Sequence, residues 1–247
     1  MPVYCINLNH RLDRKQHSLR EFTKLKKGLS EKVIYLPFVK DIRGGAYGCY
    51  DSHMKIWEDF FTRFPHERYA FVFEDDFVYS STDRSILKKA ASYLERHYED
   101  MDVLFLHPYC VKVDHPINNE MFTHGYGFGT HVYLITRHYI ESVRNRGKLP
   151  EPNGKHIDFE MNMNCMDKEN RLYSEKMFYT NHACFTQLID KSDNYVNMLD
   201  KLFRFDVNQN LDGPLRILRL LKKHKLITDA KAKSLYCKLY NVFIDKL

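Results

Sequence analysis

Short apolar runs that stop abruptly in polar residues, separated by stretches of helical spacing, constrain this chain more than any other feature. Val3–Leu8 (VYCINL) leads into NHRLDRK and then a segment that reads as a helix to about Leu25. Lys32–Val39 (KVIYLPFV) is a second strand candidate, its proline marking an edge or an irregular end. A Gly-rich turn follows in IRGGAYGCY, and Asp51 or Ser52 is placed to cap a helix running to about Phe64. Tyr69–Phe73 (YAFVF) reads as a buried strand, Ser85–Tyr98 as a helix and Asp102–Leu106 as a strand. Gly129–Ile135 is a further strand and Arg137 to Arg146 a helix. Pro150–Lys155 is a turn, Ile157–Met166 has helical spacing, and Phe178–Gln187 holds a last strand.

Strands alternating with helices imply an α/β fold with a largely parallel sheet. Ligands of such sheets sit beyond the carboxyl ends of the strands, so polar residues just after apolar strands are the first candidates for chemistry. The most pointed case is YAFVF, which stops at Glu74-Asp75-Asp76. Side chains alternate along an extended segment, so Glu74 and Asp76 point one way and Asp75 the other. Two carboxylates on one side suit a hard divalent cation, Mg²⁺ or Mn²⁺, with coordination positions left for a diphosphate. A solvated acidic turn or a helix cap is the plainer alternative.

Four further segments bear on the choice. They are Ile6–Arg14 (INLNHRLDR), Gly48–His53 (GCYDSH), Phe71–Phe77 (FVFEDDF) and Gly129–Arg137 (GTHVYLITR). In this order and at these separations the chain resembles family 25 glycosyltransferases over roughly residues 3 to 195. That family includes enzymes of lipo-oligosaccharide synthesis and procollagen galactosyltransferases. The resemblance implies a GT-A type fold, a Rossmann-like, mostly parallel sheet flanked by helices. It also implies a metal-dependent, inverting transfer of a hexose, galactose or glucose, from a UDP-sugar to a hydroxyl of a glycan or protein acceptor. Glu74-Asp75-Asp76 then takes the place of a D-x-D motif, with Asp76 and Glu74 as ligands of Mn²⁺ or Mg²⁺. Asp75 holds the donor ribose or a neighbouring arginine.

An inverting displacement needs a base opposite the leaving group. The resemblance implies an Asp at a similar place, after a short Pro-containing loop, which makes Asp158 the candidate, with Glu160 as runner-up; a helix cap is the alternative for Asp158. Arg11 and Arg14 follow the first strand and suit a diphosphate, or else a surface ion pair with Asp13 or a later carboxylate. Asn7 meets either the uracil edge or the chain itself. Ser52 and His53 are expected near a helix N-terminus, where phosphate or sugar oxygens bind; a core or capping role for His53 weighs equally. Cys49 is read as packing, because no evident base accompanies it. His182 is a further candidate for a late metal or phosphate contact, while Gln187, Ser192 and Asp193 resemble a Q-x-x-x-x-S-D ending found in relatives.

Charge narrows the alternatives. Residues 201–247 hold 11 basic and four acidic residues, a balance of +7, against 27 and 28 in residues 1–200, a balance of −1. A near-neutral body argues against nucleic-acid binding by charge. The expected organisation is a transferase domain over 1–200 and a basic helical extension over 201–247. Within the extension LRILRLLKKHKLI is amphipathic, suited to packing on the body or to peripheral contact with an anionic membrane surface. The six cysteines show no CxxC pair and read as reduced thiols. MPVYCINLNHR lacks the basic and apolar regions of a secretory signal, and mean hydropathy is −0.52. A cytoplasmic protein without a spanning helix is expected, with membrane association through the extension as an option. The competing readings are a non-catalytic relative that binds nucleotide-sugar or glycan, and a basic-tail protein that binds membranes or anions.

Overall fold

The computed structural model describes residues 1–25, 30–79, 83–106, 122–124, 129–145, 157–158, 161, 177–180 and 185–187. Strand β1 (Val3–Ile6) is followed by helix α1 (Leu12–Leu25), a 3₁₀ turn at Ser30–Lys32 and the two-residue β2 (Val33–Ile34). Then come α2 (Gly45–Arg63), β3 (Tyr69–Glu74), β4 (Phe77–Tyr79) and α3 (Ile86–Arg96). A 3₁₀ turn at Tyr98–Asp100 leads to β5 (Val103–Phe105), β6 (Phe122–His124), β7 (Val132–Thr136) and α4 (Arg137–Asn145). Strands β8 (Met177–Thr180) and β9 (Phe185–Gln187) complete the described chain.

Seven strands form one sheet in the order β2-β1-β3-β7-β5-β8-β6. Strands β2, β1, β3, β5 and β8 run one way, while β7 and β6 oppose them. The expected α/β arrangement of a mostly parallel sheet between helices is therefore the one the chain adopts. A second sheet pairs β4 with β9.

Period-two alternation along β3 explains the layering. Phe71 and Phe73 face a core closed by Phe22 and Leu25 of α1 and by Ile86, Ala90 and Leu94 of α3. Ala70 and Val72 face the opposite core, closed by Ile56, Trp57 and Phe60 of α2 and by Tyr139, Ile140 and Val143 of α4. A strand apolar on both faces is what a sheet covered on both sides demands.

Three expectations change. The second strand ends at Ile34, short of Val39, and an isolated bridge, Leu8 to Phe38, follows it just past Pro37, which has no N–H to extend a ladder. Helix α2 starts at Gly45, not near Asp51, so the Gly-rich stretch is its first turn. Gly44 precedes it at φ +122°, a conformation glycine tolerates. A Cβ on Gly48 would lie 3.2 Å from Asp41 Cβ, so the absent side chain lets the incoming chain pass close to the helix. The last strand, expected over 178–187, is two strands belonging to different sheets. The proposed extension, 201–247, lies outside the described residues, as do Glu160, His182, Ser192 and Asp193.

Candidate metal and donor site

The register of β1 against β3 pairs Ile6 with Glu74, so both strands end level. Asn7 and Asp75 are thereby brought side by side just beyond the sheet. Asn7 Nδ2 donates to Asp75 Oδ2 at 2.7 Å and to the Arg11 carbonyl at 3.0 Å. Arg14, in the first turn of α1 and 4% exposed, places Nη1 3.3 Å from both Asp75 Oδ1 and Asp76 Oδ2. Of the two arginines, Arg14 braces the carboxylates, and Arg11 forms a two-point contact with Asp13 at the surface.

The opposite side of the cluster comes from β7. Its antiparallel register pairs Phe73 with Val132, which sets Glu74 beside His131. The Glu74 N–H donates to the His131 carbonyl at 2.9 Å. Glu74 Oε1 accepts from Thr130 Oγ1 at 2.6 Å, and Glu74 Oε2 lies 3.0 Å from His131 Nδ1. His131 Nδ1 is also 3.7 Å from Asp76 Oδ1. Glu74 and Asp76 thus turn toward His131, and Asp75 turns toward Asn7 and Arg14.

Ser52 and His53 sit in the second and third turns of α2, not at its N-terminus, because the helix starts earlier than the sequence pattern indicates. Ser52 Oγ donates back to the Gly48 carbonyl at 2.6 Å. His53 is fully buried, with Nδ1 2.8 Å from Tyr133 Oη and Nε2 3.5 Å from Glu74 Oε1. Asp158 Oδ2 accepts the Gly129 N–H at 2.9 Å, at a glycine with φ +106°. That bond anchors the segment carrying Thr130 and His131.

The charges respond to this crowding. Burial, then the neighbouring Asp76 charge, pushes the Asp75 carboxyl up to about 7, against the pull of Asn7 and Arg14. Burial also works against ionised Glu74, but His131 and then His53 outweigh it and hold Glu74 well below the usual range. His131 is lowered by burial and raised more strongly by Glu74, Asp76 and Asp158, to about 9. The Asp158 charge therefore reaches the cluster. Burial, followed by Glu74, Asp158 and Asp76, drives the Cys49 thiol up, which disfavours the thiolate.

Two triads have mutually close ligand atoms, all within 4.8 Å of one another: Glu74, Asp76 and His131, and Cys49, His53 and Glu74. The first fits a divalent cation. His131 joins Glu74 and Asp76 as a ligand on giving up the hydrogen it shares with Glu74 Oε2, since metal binding takes the neutral imidazole. One imidazole beside two carboxylates favours Mn²⁺ over Mg²⁺. His131 and Thr130 are not distinguishable in the sequence, where His131 is one of several scattered histidines; only the register of β7 against β3 singles them out.

No protein-family model matches the chain, and no curated protein matches its sequence. Among solved structures, a glycosyltransferase involved in the glycosylation of the major capsid of PBCV-1 is similar at 9% identity, over 81% of this chain and 97% of that one, with a TM-score of 0.44. A197 from STIV is similar at 13% identity, over 77% and 87%, with a TM-score of 0.41. The mannose-1-phosphate geranyltransferase of Thermus thermophilus is similar at 11% identity, over 85% and 80%, with a TM-score of 0.44. These are loose likenesses of shape, and no activity follows from them.

Proposed function

We propose that this chain is a metal-dependent, inverting glycosyltransferase that moves a hexose, galactose or glucose, from a UDP-sugar to a hydroxyl of a glycan or protein. The observation that carries the reading is the meeting of Glu74, Asp76 and His131 at the level ends of β1 and β3. This is the sheet edge at which α/β proteins bind nucleotides. The order of the INLNHRLDR, GCYDSH, FVFEDDF and GTHVYLITR segments supports it.

Each residue has a task in this reading. Asp76, Glu74 and His131 hold the cation, which when bound offsets the negative charge developing on the departing diphosphate. Arg14 and Asn7 keep Asp75 and Asp76 in place. Asp158 takes the proton of the acceptor hydroxyl as that oxygen bonds to the anomeric carbon. The bond from that carbon to the diphosphate oxygen breaks, UDP leaves with the electron pair, and the configuration inverts. A carboxylate within reach of the acceptor hydroxyl is the type of group that takes such a proton. Among the described residues no helix is long and apolar enough to cross a membrane. A cytoplasmic enzyme that touches membranes through residues 201–247 is part of the proposal.

A panel of nucleotide-sugars, with and without Mn²⁺, tests the reading by UDP release. Release from a UDP-hexose, lost with chelator and at least 100-fold lower in Asp76→Ala, is expected. Absence of release from every donor, with or without acceptor, would sink it.

A further inference from the structure

Cys49 and His53 are four residues apart in α2, one helical turn, so their side chains share a face of the helix. That face meets the end of β3: ligand atoms of Cys49, His53 and Glu74 all lie within 4.8 Å of one another. His53 is fully buried, and its Nε2 makes no hydrogen bond among the described residues. Buried polar atoms without a partner are rare, and such an atom points to a group that binds it. Glu74 Oε1 is 3.5 Å from this nitrogen. The other ring nitrogen, Nδ1, is 2.8 Å from Tyr133 Oη, to which Trp57 Nε1 also donates at 3.0 Å. The ring is thus held from behind, with Nε2 aimed at the end of β3.

Thiol sulfur, imidazole nitrogen and carboxylate oxygen are zinc ligands, and a thiolate selects Zn²⁺ over Mg²⁺ and Mn²⁺. Nitrogen and oxygen ligands are about 3.3 Å apart along the edge of a zinc tetrahedron, so Nε2 and Oε1 need little movement to share an ion. The Cys49 thiol releases its hydrogen to solvent as the sulfur bonds to the ion, and Nε2 binds through its lone pair. Tyr133 Oη then accepts the Nδ1 hydrogen beside that of Trp57. The phenol hydrogen turns away from both, a smaller loss than the bond that Nε2 gains. Cys49 and Glu74 are both partly exposed, which gives an ion access, and His53 forms the inner wall.

We propose that Cys49, His53 and Glu74 form a second ion site, one that takes Zn²⁺ and leaves its fourth position to water or a substrate oxygen. Glu74 belongs to both sites, with Oε1 facing His53 and Oε2 facing His131. Thr130 Oγ1 donates to Oε1, and the second lone pair of that oxygen serves the zinc. Two dications on one carboxylate repel each other and divide its charge, so Zn²⁺ weakens Mn²⁺ binding at Glu74, Asp76 and His131. Zinc is thereby an inhibitor of the proposed transfer. That consequence rests on the proposed Mn²⁺ site; Zn²⁺ binding itself does not.

Metal-free, full-length protein titrated with Co²⁺, a spectroscopic substitute for Zn²⁺, is expected to show a thiolate-to-cobalt band that Zn²⁺ removes and Mg²⁺ does not. Cys49→Ser is expected to lower Zn²⁺ affinity at least ~100-fold, with Tm of the metal-free protein unchanged. X-ray absorption at the zinc edge of wild-type protein needs no variant, and is expected to give one sulfur at ~2.3 Å and a histidine nitrogen at ~2.0 Å. Absence of the cobalt band, equal Zn²⁺ affinity in Cys49→Ser, or a zinc shell with no sulfur or with more than one overturns the proposal. Electron paramagnetic resonance of Mn²⁺ tests the shared carboxylate. Zn²⁺ is expected to weaken Mn²⁺ binding about tenfold in wild type and not in Cys49→Ser; equal weakening in both overturns the inhibitory link. The zinc readouts use no sugar donor, so protein that binds Zn²⁺ in this way and releases no UDP sinks the proposed function alone.

Discussion

Asp75 holds its proton more tightly in the folded chain than in an unfolded one, with a pKa of about 7 against 3.8. The folded state therefore binds more protons between those values, and stability attributable to this group falls as pH rises from about 4 to about 7, then levels. Asp75→Asn removes the buried charge and keeps an oxygen for the Asn7 amide, while Arg14 retains Asp76. In metal-free protein the variant is expected to melt higher than wild type at pH 8. A gain of about 1 kcal/mol corresponds to roughly 2–4 °C in a chain of this size. The gap should close as pH falls toward 4. Thermal melts across that range check it, and a pH-independent gap would mean that the Asp75 charge is not what differs. Sequence alone was enough to set Glu74 and Asp76 on one side and Asp75 on the other, because that depends only on alternation along one strand. It was not enough for His131, which belongs to the site through pairing between β3 and a strand some sixty residues away. Asn7 and Arg14 were readable as strand-end residues. Their engagement with Asp75 depends on the level register of β1 and β3.

Helix α1 secures the strand that follows the acidic turn. Glu21, 3% exposed, accepts the Tyr79 N–H through Oε2 at 3.0 Å, and His17 Nε2 lies 2.9 Å from the Phe77 carbonyl oxygen. Both ends of β4 are thus tied to one helical face, since residues 17 and 21 are one turn apart. Glu21→Ala takes away the acceptor of a backbone donor in a largely buried setting, which costs about 1–3 kcal/mol. Chemical denaturation is expected to show a lower midpoint with unchanged slope. Loss of less than about 0.5 kcal/mol would mean that β4 is held by its pairing with β9 and by His17 and the core around Phe77, without Glu21. Strand β4 has three residues, too few for its alternation to stand out in the sequence. The start of α2 was hidden for a different reason. Glycines at 44, 45 and 48 signal a turn by propensity, but Gly48 is inside the helix because Asp41 packs where its side chain would be. Packing there overrides propensity, and Ser52 and His53 move from a helix end to a helix interior.

At the scale of the molecule, alternating apolar runs and helical spacing were enough for the layers, but not for the direction of β7. Its reversal puts the start of β7 at the same sheet edge as the ends of β1 and β3, which is how Thr130 and His131 reach Glu74. Every group assigned a task in the proposed function lies before residue 201. The sequence beyond carries the +7 balance, whereas residues 1–200 carry −1. Charge and chemistry are therefore separate along the chain. Removal of residues 201–247 is expected to leave UDP release from the active donor within about threefold of the full chain. It should also abolish salt-sensitive sedimentation with vesicles rich in anionic lipid, to which each basic residue near the surface contributes about 1 kcal/mol at most. Sedimentation that persists after truncation would assign the anionic contact to the body. UDP release that disappears while the truncated chain still melts cooperatively would place a functional group of the site beyond residue 200, because a packing role alone would lower Tm before it removed turnover.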